Sequence, residues 1–195
     1  MDLEQYKQYL TTECITTATA SDTTPEEEFI NYIIDLFNEN QEALELNSCY
    51  FEMNGPRNRK IQIDGWGYDE ADDTFILFVS YFDRLNTAPT MTNTDIDGFL
   101  RKMEAFVENS ANGFIEQNCE FSSEGRQTAA TLHRYLNQGL VTKFKFYIMS
   151  NVPLSKAVKS VSKENILDKE VQISVWDLER IFKSDSNNQQ KEDIS

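Results

Sequence analysis

Four carboxylates lie within the five residues Asp69 to Asp73, and a loop rich in hard oxygen donors is what a divalent cation requires. The same stretch is polar and suits a chain reversal, and acidic turns of this kind are more often solvated hairpins. Asp69 is singled out because it follows the interruption Gly65-Trp66-Gly67, where a bulge would re-aim side chains. A second candidate is Asn93, Asp95, Asp97, Gly98 and Glu104, which fall at calcium-loop spacing. Residues 95 to 107 nevertheless carry unbroken helical periodicity, which a twelve-residue loop would destroy, so an acidic helix start is expected. His133 is the only histidine, and no G-x-S-x-G turn accompanies it, which leaves acyl transfer unsupported. Cys14, Cys49 and Cys119 are odd in number and lack metal-ligand spacing. They read as reduced, partly buried thiols. Lys143, Lys145, Lys156, Lys159 and Lys163 make the later third locally basic, and solvated faces account for them.

The elements that must position these groups centre on residues 60 to 83. Ile61 and Ile63 alternate with Gln62 and Asp64, then the bulky positions move to Trp66 and Tyr68. A bulge at Gly65 explains that change of face. Residues 74 to 82 are almost continuously apolar, the mark of a central strand covered on both sides. Thr24, Pro25 and Glu27 form a capping box ahead of a helix with Phe29, Ile33, Leu36 and Phe37 on one face. Residues 3 to 18 also read as helix, and Cys49 to Met53 as a short strand after a polar stretch. Thr92 or Thr94 starts an amphipathic helix through Val107. Ser122 or Ser123 starts another that Gly139 stops. Residues 144 to 148 read as a half-buried strand, 153 to 161 as a short helix, 171 to 175 as a last strand and 177 to 183 as a closing helical turn. The class is therefore mixed α/β, a mixed central sheet of about five strands flanked by helices. One domain is expected over residues 1–183, with 184–195 a polar tail or a linker to a downstream domain.

Composition narrows the function. With 13 Phe and 39% hydrophobic residues the chain can bury one substantial core. The net charge of −15 argues against a broad nucleic-acid grip while leaving room for a local basic rim. No signal peptide and no bilayer-length apolar run is visible, so a cytoplasmic protein without a membrane partner is expected.

Four motifs recur in order: Ile63-Asp64-Gly65-Trp66-Gly67-Tyr68-Asp69, Phe78-Val79-Ser80-Tyr81, Thr94-Asp95-Ile96 and Trp176-Asp177-Leu178-Glu179-Arg180. Together they resemble the N-terminal domain of the abortive infection phage resistance (AIPR) family over most of residues 25 to 183. The resemblance implies a non-catalytic module of a phage-defence protein. Its partner would be another protein or a downstream domain of the same polypeptide. The element order also resembles the restriction-endonuclease core, where a helical Glu, a hairpin Asp and an acid-x-Lys strand hold a divalent metal and activate water. Carried over, that pattern makes Glu28 and Asp69 the catalytic and metal-ligating acids, with Mg²⁺ or Mn²⁺ as cofactor. Residues 74 to 82 contain no acid and no lysine, so the second half of the pattern is missing unless Lys60 or Lys102 has taken its place. Without it no cofactor is expected, and a metal-dependent nuclease is the alternative.

Overall fold

A computed structural model describes residues 1–39, 45–87 and 89–192, with side chains to residue 187. Part of the polar stretch before Asn47 and the last three residues of the expected tail lie outside the described residues. The elements follow in the order α1 (Leu3–Ser21), α2 (Pro25–Glu39), β1 (Leu46–Asn54), β2 (Lys60–Asp69), β3 (Thr74–Tyr81), α3 (Asn93–Ala111), α4 (Phe114–Asn118), α5 (Glu124–Asn137), β4 (Lys143–Ser150), β5 (Glu170–Trp176) and α6 (Leu178–Glu192). The five strands form one sheet in the order β1-β2-β3-β4-β5. β1, β2 and β3 pair antiparallel, while β4 and β5 join parallel to β3. This is the mixed α/β architecture that the strand and helix patterns predict.

The pleat decides which helices cover which face. Phe75, Leu77 and Val79 of β3 join Phe144, Phe146 and Ile148 of β4 in a core closed by α3, α4 and α5. Ile76, Phe78, Tyr147 and Met149 point the other way, into a core closed by α1, α2 and α6. Thr74 to Val79 is therefore buried residue by residue, which is why the run shows no alternation. β4 departs from expectation. Instead of a half-buried strand, it is buried from Phe146 through Ser150 because α3, α4 and α5 cover one face and α1, α2 and α6 the other. Its alternating Lys143 and Lys145 mark only the end nearer solvent.

Local signals place the helices. Thr24 N–H donates to Glu27 Oε2 at 2.8 Å and Glu27 N–H to Thr24 Oγ1 at 3.2 Å, the predicted capping box. Thr92 and Asp95 make the same reciprocal pair ahead of α3, so Asn93 to Glu104 is regular helix and no calcium loop. Ser123 caps α5, and Gly139 just beyond it sits at φ +70°. Residues 153 to 161 form no helix. Met91 N–H instead donates to Pro153 O and Ser155 N–H to Met91 O, so the segment is tied down as an extended bridge beside the β3–α3 loop. The closing helix runs past residue 183 to Glu192, further than a single turn.

Candidate functional site

The β2–β3 ladder runs from Asp69 opposite Thr74 to Gly65 opposite Phe78. Beyond Gly65 the strands are held differently. On the other side of β2, pairing passes from Ser48 opposite Gly65 to Phe51 opposite Ile63, so β1 places one more residue than β2 in this interval and bulges. Ile63 and Trp66 both contact the α3–α5 core, which puts the change of face at Asp64 and Gly65. A Cβ on Gly65 would stand 2.0 Å from Phe78 Cζ and 2.4 Å from Asn47 O, so only glycine lets the Phe78 ring cross here.

Asp64 occupies the resulting gap. Its Oδ2 accepts from the Ser80 backbone N–H at 2.6 Å and from Ser80 Oγ at 3.3 Å. The carboxylate thus stands in for a ladder partner where the strands part. Asp64 is 8% exposed, and burial raises its carboxyl, with the Ser80 N–H, Gln62, the Ser80 hydroxyl and Lys102 pulling the other way. Lys102 arrives from α3, its Nζ donating to Gln62 Oε1 at 2.8 Å. On the α2 side stands Tyr50, whose phenol is pushed up by partial burial and then by Glu27, Asp64 and Glu28. Tyr50 thus feels Glu27, Glu28 and Asp64, and Asp64 in turn feels Lys102.

Glu28 acts on Tyr50 and accepts directly from Thr23 Oγ1 at 2.6 Å. It also adds to the burial that pushes the Cys14 thiol up to about 12. Asp69 stands apart from Asp64. It lies five residues along β2 from Asp64, about 17 Å at strand rise, and its Oδ1 accepts from Ala71 N–H at 3.0 Å. Around it the acidic turn is pinned to the start of β4 by a Lys143–Asp72 ion pair and by Thr142 N–H donating to Asp73 O. Lys60 faces Glu52 at 3.9 Å near the far end of the β1–β2 hairpin. Among the described residues no three His, Cys, Asp or Glu side chains converge as metal ligands. His133 pairs with Glu116 at 2.7 Å.

A second polar cluster crowns the C-terminal ends of β3, β4 and β5, where ligands of open α/β sheets commonly bind. Lys7 Nζ meets Asp83 Oδ2 at 3.2 Å with both side chains buried. Asp83 Oδ1 accepts from Thr87 N–H. Asn151 accepts from Asp83 N–H at 2.7 Å and donates to Thr11 Oγ1 at 3.1 Å. Asp177 accepts from Leu154 N–H and caps α6 at Arg180 N–H. The Arg180 guanidinium lies 4.0 Å over the Trp176 ring. The Trp176-Asp177-x-x-Arg180 pattern is thus a helix start braced on the last strand. A cavity of about 450 Å³ opens beside this cluster, lined by Leu3, Lys7, Asn86, Thr87, Pro153 and Leu178.

Sequence reasoning passed over Asp64, Asp83 and Asn151. Asp64 looked like one wet position of an alternating strand. Asp83 directly follows the apolar run of β3, and Asn151 comes one serine after Phe146 to Met149. A polar residue at the end of such a run was the available signal.

No helix among the described residues is long and apolar enough to cross a membrane. No curated protein and no solved structure matches the chain at a significant level. A family model described as the abortive infection phage resistance protein N-terminal domain matches residues 29–183. That span holds every strand, the β2–β3 gap and the braced Trp176–Arg180 turn, and the chain belongs to the abortive infection phage resistance family through this N-terminal domain.

Proposed function

We propose that the chain acts as a non-catalytic module of a bacterial, cytoplasmic phage-defence protein. It would bind a protein partner or support an effector domain further along the same polypeptide. Residues 1–183 would form that module, and the end of α6 would lead toward the downstream part. One observation carries this reading. The strand that in a restriction-endonuclease core would present acid-x-Lys is β3, buried from Thr74 to Val79. The nearest buried acid, Asp64, already has its Oδ2 committed to Ser80. A metal taking Oδ2 would have to break that contact and strand a buried N–H, which leaves it only Oδ1. Two measurements test the proposal. Purified protein with Mg²⁺ or Mn²⁺ is expected to cleave plasmid DNA and RNA no faster than its Glu28→Gln/Asp69→Asn variant. The parent polypeptide is expected to lose phage protection when this region is deleted while the remainder stays soluble. Cleavage above that control, or full protection without the region, overturns it.

A metal-dependent nuclease is the second reading. What favours it is a lysine, Lys102 of α3, acting on the buried carboxylate of Asp64. In this reading Glu28 and Asp69 remain candidate metal-binding acids, and a metal would supply Lewis-acid activation of water. Cleavage abolished singly by Glu28→Gln and by Asp69→Asn would establish it.

A further inference from the structure

A second cavity, of about 400 Å³, lies between α1 and α6 and is lined by Met1, Tyr6, Tyr9, Phe182, Asp185 and Ser186. Its walls follow from helical spacing. Tyr6 and Tyr9 are three apart on α1, and Phe182, Asp185 and Ser186 recur at three and four on α6, so each set shares a face. The Tyr6 ring centroid lies 6.4 Å from that of Tyr9 and 4.8 Å from that of Phe182, with the planes tilted by 37° and 40°. Tyr6 is buried at the floor and Tyr9 is exposed at the mouth. The Tyr6 hydroxyl meets the Tyr32 hydroxyl at 2.8 Å. Burial, then the Tyr32 hydroxyl, push the Tyr6 phenol up, and the Asp185 carboxylate adds to the shift. Asp185 therefore faces the phenols from the α6 side.

Aromatic walls with a carboxylate among them attract a cation twice. The exposed Tyr9 ring can offer its negative face, and the acid supplies a full charge. Among the described residues the chain's own ring-stacked cations sit elsewhere, on Phe99, Phe121, Tyr135, Tyr147 and Trp176. The surrounding field has the same sign, with a net charge of −15. Tyr6, Tyr9, Asp185 and Ser186 also lie outside the matched residues 29–183, so this site is an addition at the seam of two flanking helices.

We infer that the α1–α6 cavity is a cation cage that takes a lysine or arginine side chain projecting from a basic segment of a protein partner. This deepens the partner-recognition reading and rests on it for the partner's class. Binding of the cation itself is tested separately.

The test titrates the full chain with Nα-acetyl-arginine methylamide and Nα-acetyl-lysine methylamide, following the ring NMR signals of Tyr6, Tyr9 and Phe182. The uncharged citrulline derivative and choline serve as comparisons. Expected are saturable shifts with dissociation constants on the order of 1–10 mM, weakened by salt and absent with citrulline. Tyr9→Ala and Asp185→Asn, both at accessible positions, should each weaken binding about fivefold or more while the circular dichroism spectrum is retained. No saturation, equal binding of citrulline, tighter binding of choline, or indifference to both variants overturns the cage. Such a failure alongside loss of phage protection on deletion would sink the cage alone.

Discussion

Asp64 shows how one carboxylate can carry strand geometry and titration behaviour together. Its folded carboxyl is raised, chiefly by burial. The folded state therefore binds the proton more readily than the unfolded chain, for which 3.8 is the ordinary value. The stabilising contribution of the protonated group is fully present below 3.8 and is lost as pH rises through the raised folded value. Asp64→Asn keeps an acceptor for the Ser80 N–H and removes the buried charge. It should leave the protein more stable at pH 7, with the gain shrinking toward pH 3. Asp64→Ala strands that N–H and should cost about 1–3 kcal/mol at either pH. Urea denaturation of the three proteins at pH 3.5, 5 and 7 checks both. None of this was legible in the alternation Ile61-x-Ile63, which assigns position 64 to the wet side. The partner that engages it, Ser80, is sixteen residues away, and the bulge beside it is on β1.

At the scale of elements the legible features were those with a local cause. The Thr24 capping box, the Thr92 helix start and the apolar run of β3 each follow from neighbouring residues. The bulge expected at Gly65 lies instead on β1, between Ser48 and Phe51. The missed features have causes elsewhere in the chain. β4 is covered on both faces because helices from the two ends of the chain pack on opposite sides of the sheet. Residues 153 to 155 are held extended because Met91 exchanges backbone hydrogen bonds with Pro153 and Ser155. Gly65 tests whether the crossing of Phe78 is required. Gly65→Ala brings a Cβ to 2.4 Å from the Asn47 carbonyl, and backbone cannot swing aside as a side chain can. Destabilisation by about 1–3 kcal/mol is expected. Trimming the ring in Gly65→Ala/Phe78→Leu should recover only part of it, because the Asn47 clash persists. Thermal melts of the single and double variants decide the point.

Across the whole molecule, the family span and the folded body differ at their start. The matched residues begin at Phe29, yet Tyr6, Leu10 and Cys14 of α1 share one core with Phe29, Ile33 and Phe37 of α2. The same helix supplies Lys7 to Asp83 and Thr11 to Asn151. A protein beginning at residue 29 should therefore lose about 3–5 kcal/mol from the broken buried ion pair alone. It is expected to aggregate on expression, whereas the chain from residue 1 stays monodisperse by size-exclusion chromatography.

The Lys7–Asp83 contact works as a latch joining a leading helix to the loop that follows β3. Anyone dividing the parent polypeptide into pieces for crystallisation or complementation would therefore do well to cut ahead of Leu3. A scissor line drawn where sequence likeness begins runs through the middle of a packed layer.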